Sequence, residues 1–337
     1  MIALAAVSVL GASGVGWFTT HNVRQGLTTS RVLASQPHHS LGSDQNILVM
    51  GLDSRLDEQG KPLPEALYKA LHAGSPDDGG NNANVLMVIH IPGNGSKATA
   101  ISIPRDDYTE LSGCPDNQCQ GKIKQAYGLA FDEKAKNMPS GIEPGTQEFE
   151  QAARDAGRKA EIDTVSAFLG GVPIDHFVEV TLAAFYEVAQ VVAPVTVCVN
   201  ENTADAFSGA HFHQGSQELD AASAVAFVRQ RRDTETGIDF SDLDRERRQQ
   251  AFIVSLSHKL SQTGTLTDPA KLAQIYDVAK ANTAIDSGFD PIGFATNSSA
   301  VTSGNASFLT LPIDHFGQTD DGESINVVDP DTIHTIV

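Results

Sequence analysis

Val85-Leu86-Met87-Val88-Ile89-His90-Ile91-Pro92-Gly93-Asn94-Gly95-Ser96-Lys97-Ala98-Thr99-Ala100-Ile101-Ser102-Ile103 is the stretch on which the fold turns. Val85–Ile91 and Ala98–Ile103 are apolar, β-branched runs of strand length. The turn residues between them include Asn94-Gly95, the pair best suited to a type I′ turn, so the two strands are expected to run antiparallel. If the turn centres between Asn94 and Gly95, partners lie at equal steps from that centre, and Asn84 stands opposite Arg105. The hairpin then presents Asn84 and Pro104-Arg105-Asp106-Asp107 side by side at its open end. A one-residue slip would undo this arrangement.

Upstream, Asn46-Ile47-Leu48-Val49-Met50-Gly51 reads as a strand buried on both faces, delivering Leu52-Asp53-Ser54-Arg55 at its end. A segment rich in Gly, Asp, Asn and Pro follows to about Ala83, and loops of that length in compact domains are usually functional or mobile. Downstream, Glu133 to Leu169 is helical in pattern, Phe177–Val180 a strand, Leu182–Val191 a helix and Val195–Val199 a strand. Two helices then carry a group of arginines, before late strands at Phe308–Leu311 and Asn326–Val328. Interleaved helices and strands with an antiparallel pair predict an α/β fold, with a mixed central β-sheet sandwiched between helices.

The apolar run from Met1 to about Phe18 approaches the ~20 helical residues that cross a bilayer. A cleaved signal peptide would show a basic leader and an A-x-A site, and neither is clear. Residues 1–20 are therefore expected to form a signal-anchor helix, 21–43 a polar stalk, and 44–337 an extracytoplasmic domain on a single-pass cell-membrane protein. Cys114 and Cys119 bracket a turn-rich spacer that could close a disulfide loop, in keeping with export. Cys198, inside an apolar run, is expected to be a buried strand thiol. The net charge of −19 repels phosphate backbones, and no nucleic-acid-binding motif is present, so nucleic acid is excluded as a partner. Walker and Rossmann glycine patterns are absent, and His211 and His213 lack a third ligand.

In this acidic chain Arg229, Arg231, Arg232, Arg245, Arg247 and Arg248 fall together. Asp220 is a suitable N-cap for the helix that follows it, where Ala222, Val225, Ala226 and Arg229 share one face. In the next helix the stripe Ile253, Leu256, Leu260 runs back to Gln249 and Arg245, with Arg248 adjacent and Arg247 pointing elsewhere, toward a surface ion pair. Two core-facing stripes that end in guanidinium groups require carboxylates, such as Asp242 and Asp244, or an anionic ligand. Arginine's planar fork suits phosphate.

Five motifs in this order resemble those of the LytR-CpsA-Psr family. They are Asn46–Arg55, Ser102-Ile103-Pro104-Arg105-Asp106, Lys122-Ile123-Lys124-Gln125-Ala126-Tyr127, Val228-Arg229-Gln230-Arg231 and Asp244-Arg245-Glu246-Arg247-Arg248-Gln249. The likeness runs in particular to actinobacterial members that attach arabinogalactan-type polymers to peptidoglycan. It implies a phosphotransferase that takes a glycan-1-phosphate from a polyprenyl pyrophosphate carrier and passes it to a peptidoglycan sugar hydroxyl. By motif position it implies Arg105, Arg229, Arg231, Arg245 and Gln249 at the pyrophosphate, with Lys122 and Arg248 close by. It also implies Mg²⁺ (or Mn²⁺) held by Asp53 and the residue at position 84, with Asp106 or Asp53 orienting the acceptor. In one respect the sequence departs from the pattern, carrying Asn84-Val85 where many members have Asp-Thr. A lipid-pyrophosphate hydrolase and a non-catalytic lipid or wall-glycan binder are the rival expectations.

Overall fold

The computed structural model describes residues 27–34, 44–75, 80–94, 96–235, 237–238, 240, 242–262, 269–290 and 307–337. The main sheet is built from β1 (Thr28–Ser30), β2 (Gln45–Leu52), β3 (Ala83–Ile91), β4 (Thr99–Ile103), β5 (His176–Thr181), β6 (Thr283–Asp286) and β7 (Ser307–Thr310). Around it lie helices α1 (Glu65–Ala70), α2 (Gln125–Lys136), α3 (Gln147–Phe168), α4 (Leu182–Val192), α5 (Ala221–Arg229), α6 (Asp242–Gln262) and α7 (Pro269–Asn282).

Across the sheet the order is β1-β6-β5-β2-β3-β4-β7. The sheet is mixed, with antiparallel pairs β2–β3, β3–β4 and β5–β6 and parallel pairs β1–β6, β2–β5 and β4–β7. Its central strand β2 is apolar from Ile47 through Met50, where both faces are covered. Leu48 and Met50 pack with Tyr127 and Phe131 of α2 and Val165 of α3, whereas Ile47 and Val49 pack with Ala184 of α4 and Ile253 of α6. The expected mixed sheet between helices is thus observed.

In the ladder, Leu86 stands opposite Ile103 and Val88 opposite Ile101, the register that aligns Asn84 with Arg105. The turn is longer than two residues, since pairing stops at His90–Thr99. Residues 1–20, expected to anchor the protein, lie outside the described residues, among which no helix is long and apolar enough to cross a membrane. The expected stalk is in part a strand: β1 pairs in parallel with β6, and Leu27 and Leu33 are buried. Those two leucines flank a polar triplet that gives no apolar pattern of its own, which hid the strand. The helical stretch after Glu133 divides at residues 137–146, where Pro139, Gly141, Pro144 and Gly145 cannot sustain a helix. Cys198 is exposed, contrary to expectation, because its strand Val195–Val199 buries only alternate residues. Cys114 and Cys119 are joined in a disulfide.

Beneath the sheet is an ionic cluster that the sequence pattern gave no hint of. Arg154 and Arg158, one turn apart on α3, are fully buried, as are Glu58 and Glu179. Arg154 donates to Glu150 at 2.7 Å and to Glu58 and Glu179 at 3.2 Å each; Arg158 reaches Glu58 at 3.0 Å and Glu179 at 2.9 Å. The Tyr127 hydroxyl adds a bond to Glu179 at 2.9 Å. Gly157 lies between the two arginines, and a Cβ there would come within 2.6 Å of the Tyr127 ring, so α2 and α3 can approach only through glycine.

The buried Glu58, Glu150 and Glu179, with Asp155 at the edge 2.9 Å from Arg158, outnumber the two guanidiniums and leave the cluster with an excess of negative charge. Burial, and then the neighbouring Glu179 against the pull of the arginines, raises Glu58 from 4.5 to about 7. Between those values the folded state keeps a proton that the unfolded chain releases, so stability falls as pH rises through the window and levels off above it. The opposing contribution of Glu179 acts below 4.5, because the arginines overcome its burial and hold it low. The thermal midpoint is expected to drop as pH rises from 4.5 through about 7. Glu58→Gln should flatten this slope, and an unchanged slope in scanning calorimetry would refute the assignment.

Candidate active site

The end of β2, the start of β3 and the β5–α4 junction meet α5 and α6 around a cavity of about 300 Å³. β2 and β5 are parallel, and their carboxyl ends both open into it, the place where open α/β sheets leave a crevice. Asp53 is delivered by β2 and Asn84 by β3, while Thr181 caps α4, accepting from Ala184 N at 3.4 Å. The positive end of the α4 dipole therefore lies at the cavity wall and favours an anion.

The arginines come from α5 and α6. Asp220 caps α5 as expected, accepting from Ser223 N at 2.8 Å. Ala222 of the expected apolar face is exposed, whereas Ala224 to Val228 are buried on nearly all sides. Arg229, at the end of α5, donates to the Leu71 carbonyl, which fixes its guanidinium at the cavity. Burial pulls Arg229 below the usual guanidinium range; Asp53 and Asp205 oppose this, and Arg55 reinforces it. Arg245 and Gln249 line the same wall from α6, and Gln249 ties the two helices by donating to Val228 O at 3.3 Å. Arg231 and Arg232 are exposed at the rim, with Arg232 over the Phe207 ring at 4.4 Å.

Two of the remaining expected residues are occupied by arginines. Arg55 donates to Asp53 Oδ1 at 2.6 Å, and Arg105 donates to Asn84 Oδ1 at 2.8 Å. Arg105, Asp106 and Lys122 do not line the cavity but reach it through Asn84. Burial would raise the Asp106 carboxyl, but Arg105, Lys124 and Lys122 outweigh it and hold it below the usual range. Its bonds to Lys124 at 2.5 Å and Arg105 at 3.4 Å suit holding cations in place more than taking a proton. Lys122 pairs with Glu323 at 2.9 Å. Arg247 forms the surface pair expected of it, with Asp244 at 2.9 Å. Arg248 opens into a different cavity. The side chains of Asp242 and Leu260 lie outside the described residues.

The cavity is also lined by apolar side chains: Leu52, Val85, Val180, Leu182, Phe185 and Val228. Sequence reading missed this lining, because strand residues bound for the core look the same as strand residues bound for a crevice. It also missed Asp205, Phe207 and Ser208, whose loop folds on itself through Phe207 N and Ser208 Oγ donating to Asp205 at 3.0 and 2.9 Å. The turn signal Asp205-Ala206-Phe207-Ser208-Gly209 was legible, but its place over the cavity was not.

For a divalent cation the cavity offers the Asp53 carboxylate and the Asn84 amide oxygen, besides Asp205, whose two oxygens accept bonds within its own loop; no group of three or more His, Cys, Asp or Glu among the described residues could hold a metal. That set fits Mg²⁺, which is commonly held by one or two carboxylates together with substrate phosphate oxygens.

The sequence matches the LytR_cpsA_psr family over residues 20–336. It is 36% identical to the cell wall biosynthesis protein LcpA of Corynebacterium glutamicum, with 99% of this chain and 63% of that protein aligned. It is 22% identical to the polyisoprenyl-teichoic acid–peptidoglycan teichoic acid transferase TagU of Bacillus subtilis, over 86% of this chain and 78% of that protein. The chain thus spans about three-fifths of the length of its Corynebacterium relative. Among solved structures, the fold resembles the LytR-Csp2A-Psr enzyme of Actinomyces oris, with a TM-score of 0.59, 16% identity, and 92% and 94% of the two chains covered. TagT bound to LI-WTA is similar, at a TM-score of 0.57, 16% identity and 92% and 96% coverage. With a match that runs nearly from end to end on a sheet of the same architecture, the chain belongs to the LytR-CpsA-Psr family.

Proposed function

We propose that the protein is a phosphotransferase that moves a glycan-1-phosphate from a polyprenyl pyrophosphate to a sugar hydroxyl of peptidoglycan. The donor glycan is an arabinogalactan-type polymer in this reading. One observation carries it: a single cavity is lined by apolar side chains and by arginines, which matches a molecule with a hydrocarbon tail and a pyrophosphate. Arg229 and Arg245 bind the pyrophosphate oxygens, with Gln249 donating beside them and Arg231 closing the rim. The acceptor hydroxyl attacks the glycan-bearing phosphorus and gives up its proton to solvent, the bond to the bridging oxygen breaks, and polyprenyl phosphate leaves. Such a step depends on in-line positioning and on fixed positive charge facing the oxygens that gain negative charge. Arg105, backed by Asp106, Lys122 and Lys124, sets Asn84 at the edge of this field.

Mg²⁺ (or Mn²⁺) belongs to the proposal, with Asp53 and Asn84 as the residues that would hold it; when bound it neutralises charge on the phosphate oxygens. Asn84 supplies no charge of its own. Asn84→Asp is therefore expected to tighten Mg²⁺ binding, measured by calorimetry in the presence of a pyrophosphate ligand; unchanged affinity would remove position 84 from the ion.

The protein is placed at the cell membrane, its domain on the outer side; the Cys114–Cys119 disulfide supports that compartment. The deciding assay supplies a polyprenyl-pyrophosphate glycan, Mg²⁺ and a peptidoglycan oligosaccharide. Glycan-linked peptidoglycan together with polyprenyl phosphate is the expected result. Polyprenyl phosphate without the linked product would identify a hydrolase, and neither product a binding protein.

A further inference from the structure

The cavity and the entry of the chain into the sheet lie at the same end of the molecule. Val180 and Thr181, in the cavity wall, close β5. Val180 stands opposite Thr283 at the start of β6, and Thr28, the first residue of β1, stands opposite Ala284. Leu27 is therefore two strands across from the cavity wall and level with it, and everything before Leu27 leaves the domain from that end. Only the six residues from His21 to Gly26 separate Leu27 from the expected anchor at residues 1–20. Fully extended, such a linker reaches roughly 20–25 Å. An anchor formed there would hold the cavity end close to the bilayer.

The surface at this end suits a layer of lipid headgroups. Phe207, on the turn over the cavity, is 69% exposed, more than any other large apolar side chain among the described residues. Arg232 stacks on its ring at 4.4 Å, and Arg231 is exposed on the same rim. The nearby carboxylates offset this charge only in part. Asp205 is buried, Asp233 accepts from Ala204 N and Ile238 N at 2.9 and 3.1 Å, and Glu235 is the exposed one of the three. An aromatic ring flanked by guanidinium groups settles at a membrane interface, with the ring among the headgroups and the cations on lipid phosphates. Exposure alone would not select this patch. Phe316 is 65% exposed, but its hairpin carries Asp314, Asp320, Asp321 and Glu323, which an anionic surface repels.

We propose that the cavity rim docks on an anionic lipid surface, with Phe207 set among the headgroups and Arg231 and Arg232 on the phosphates. Docking is a second contact with the membrane beside the anchor, and it fixes which way the cavity faces. It rests on the membrane placement given above and not on the transferase chemistry. On that chemistry, a docked mouth receives a hydrocarbon chain without passing it through water.

The test reconstitutes the full chain in vesicles of phosphatidylcholine and phosphatidylglycerol, brominated near the top of the acyl chains so that they quench tryptophan on contact. Trp17→Phe removes the one tryptophan of the chain. Phe207→Trp then places one at the rim, and Lys97→Trp, in a separate variant, at the β3–β4 turn at the opposite end of the sheet. The rim position should be quenched and the turn position should not. Arg232→Glu should lower the docked-to-undocked ratio read at 207 about fivefold or more, as should about 1 M salt or phosphatidylcholine alone. Unquenched emission at 207 in a chain that floats with the vesicles would overturn the docking and leave the anchor and the transferase standing. Equal quenching at 97 and 207, or indifference to Arg232→Glu and to lipid charge, would overturn it too. Shielding at 207 that follows protein concentration instead of lipid would assign the rim to a second copy of the chain and not to the membrane. A chain that does not float overturns anchor and docking together, while glycan transfer assayed in detergent answers for the transferase separately.

Discussion

Arg229→Ala and Arg245→Ala are each expected to lower turnover on polyprenyl-pyrophosphate substrate by about 10²-fold or more, the loss typical of a removed charge-stabilising donor. The expectation follows from how these two groups are held. Arg229 is fixed by its bond to Leu71 O, and Arg245 is only 3% exposed, so neither needs to be ordered when charge develops. Burial has already lowered the guanidinium range of Arg229, which an anion would reverse. Lysine at either position should recover little, because a point charge cannot make the forked contact. The exposed Arg231 should show a smaller loss, since water competes with it at the rim. Initial-rate assays at saturating donor, with circular dichroism to verify folding, provide the check. Near-normal rates in both alanine variants would sink the proposed site.

Arg154→Ala should destabilise the fold by about 3–5 kcal/mol, because it leaves buried carboxylates without their cation. Glu58 and Glu179 are fully buried, and each loses one of its two arginines. For a domain of this size a loss of 1 kcal/mol lowers the midpoint by roughly 2–4 °C, so the change is large on a calorimetric scan. Removing Glu58 as well should return part of the loss, since one of the uncompensated negative charges goes with it. A double-mutant cycle on Arg154 and Glu58 in urea measures that coupling. Additive losses would show that the two residues do not act as a pair. Glu179 immediately precedes Val180 and Thr181 of the cavity wall, and Glu58 follows Asp53 by five residues, so the same variant should also loosen substrate binding.

What the sequence disclosed was periodic or local. Turn chemistry gave the register that aligns Asn84 with Arg105, even though the turn itself is longer than its Asn-Gly pair implied. Helical spacing sent Arg229, Arg245 and Gln249 to one place. Spacing could not separate Arg245 from Arg248, because one helical turn lies within a single face while the wall dividing the two cavities is made by α5. The buried pair Arg154 and Arg158 was hidden for a related reason. Among the Glu, Asp and Lys of α3 they look like a solvated face, and only the arrival of Glu58 and Glu179 from distant segments makes their burial tolerable. The apolar cavity wall and the Asp205–Ser208 loop depend on tertiary placement in the same way.

The position of β1 has a mechanical meaning. All chain before Leu27 connects to the domain through a strand of three residues at the edge of the sheet, parallel to β6. If the protein is tethered at that end, tension pulls along β1 and loads its ladder in shear, so that its bonds must yield together. Leu27, next to the strand, and Leu33, three residues beyond it, are both buried and help to hold this segment against the domain. On the far side of β6 lies β5, whose last residues line the cavity. Force applied along β1 would thus enter the sheet two strands away from β5, whose end lines the cavity.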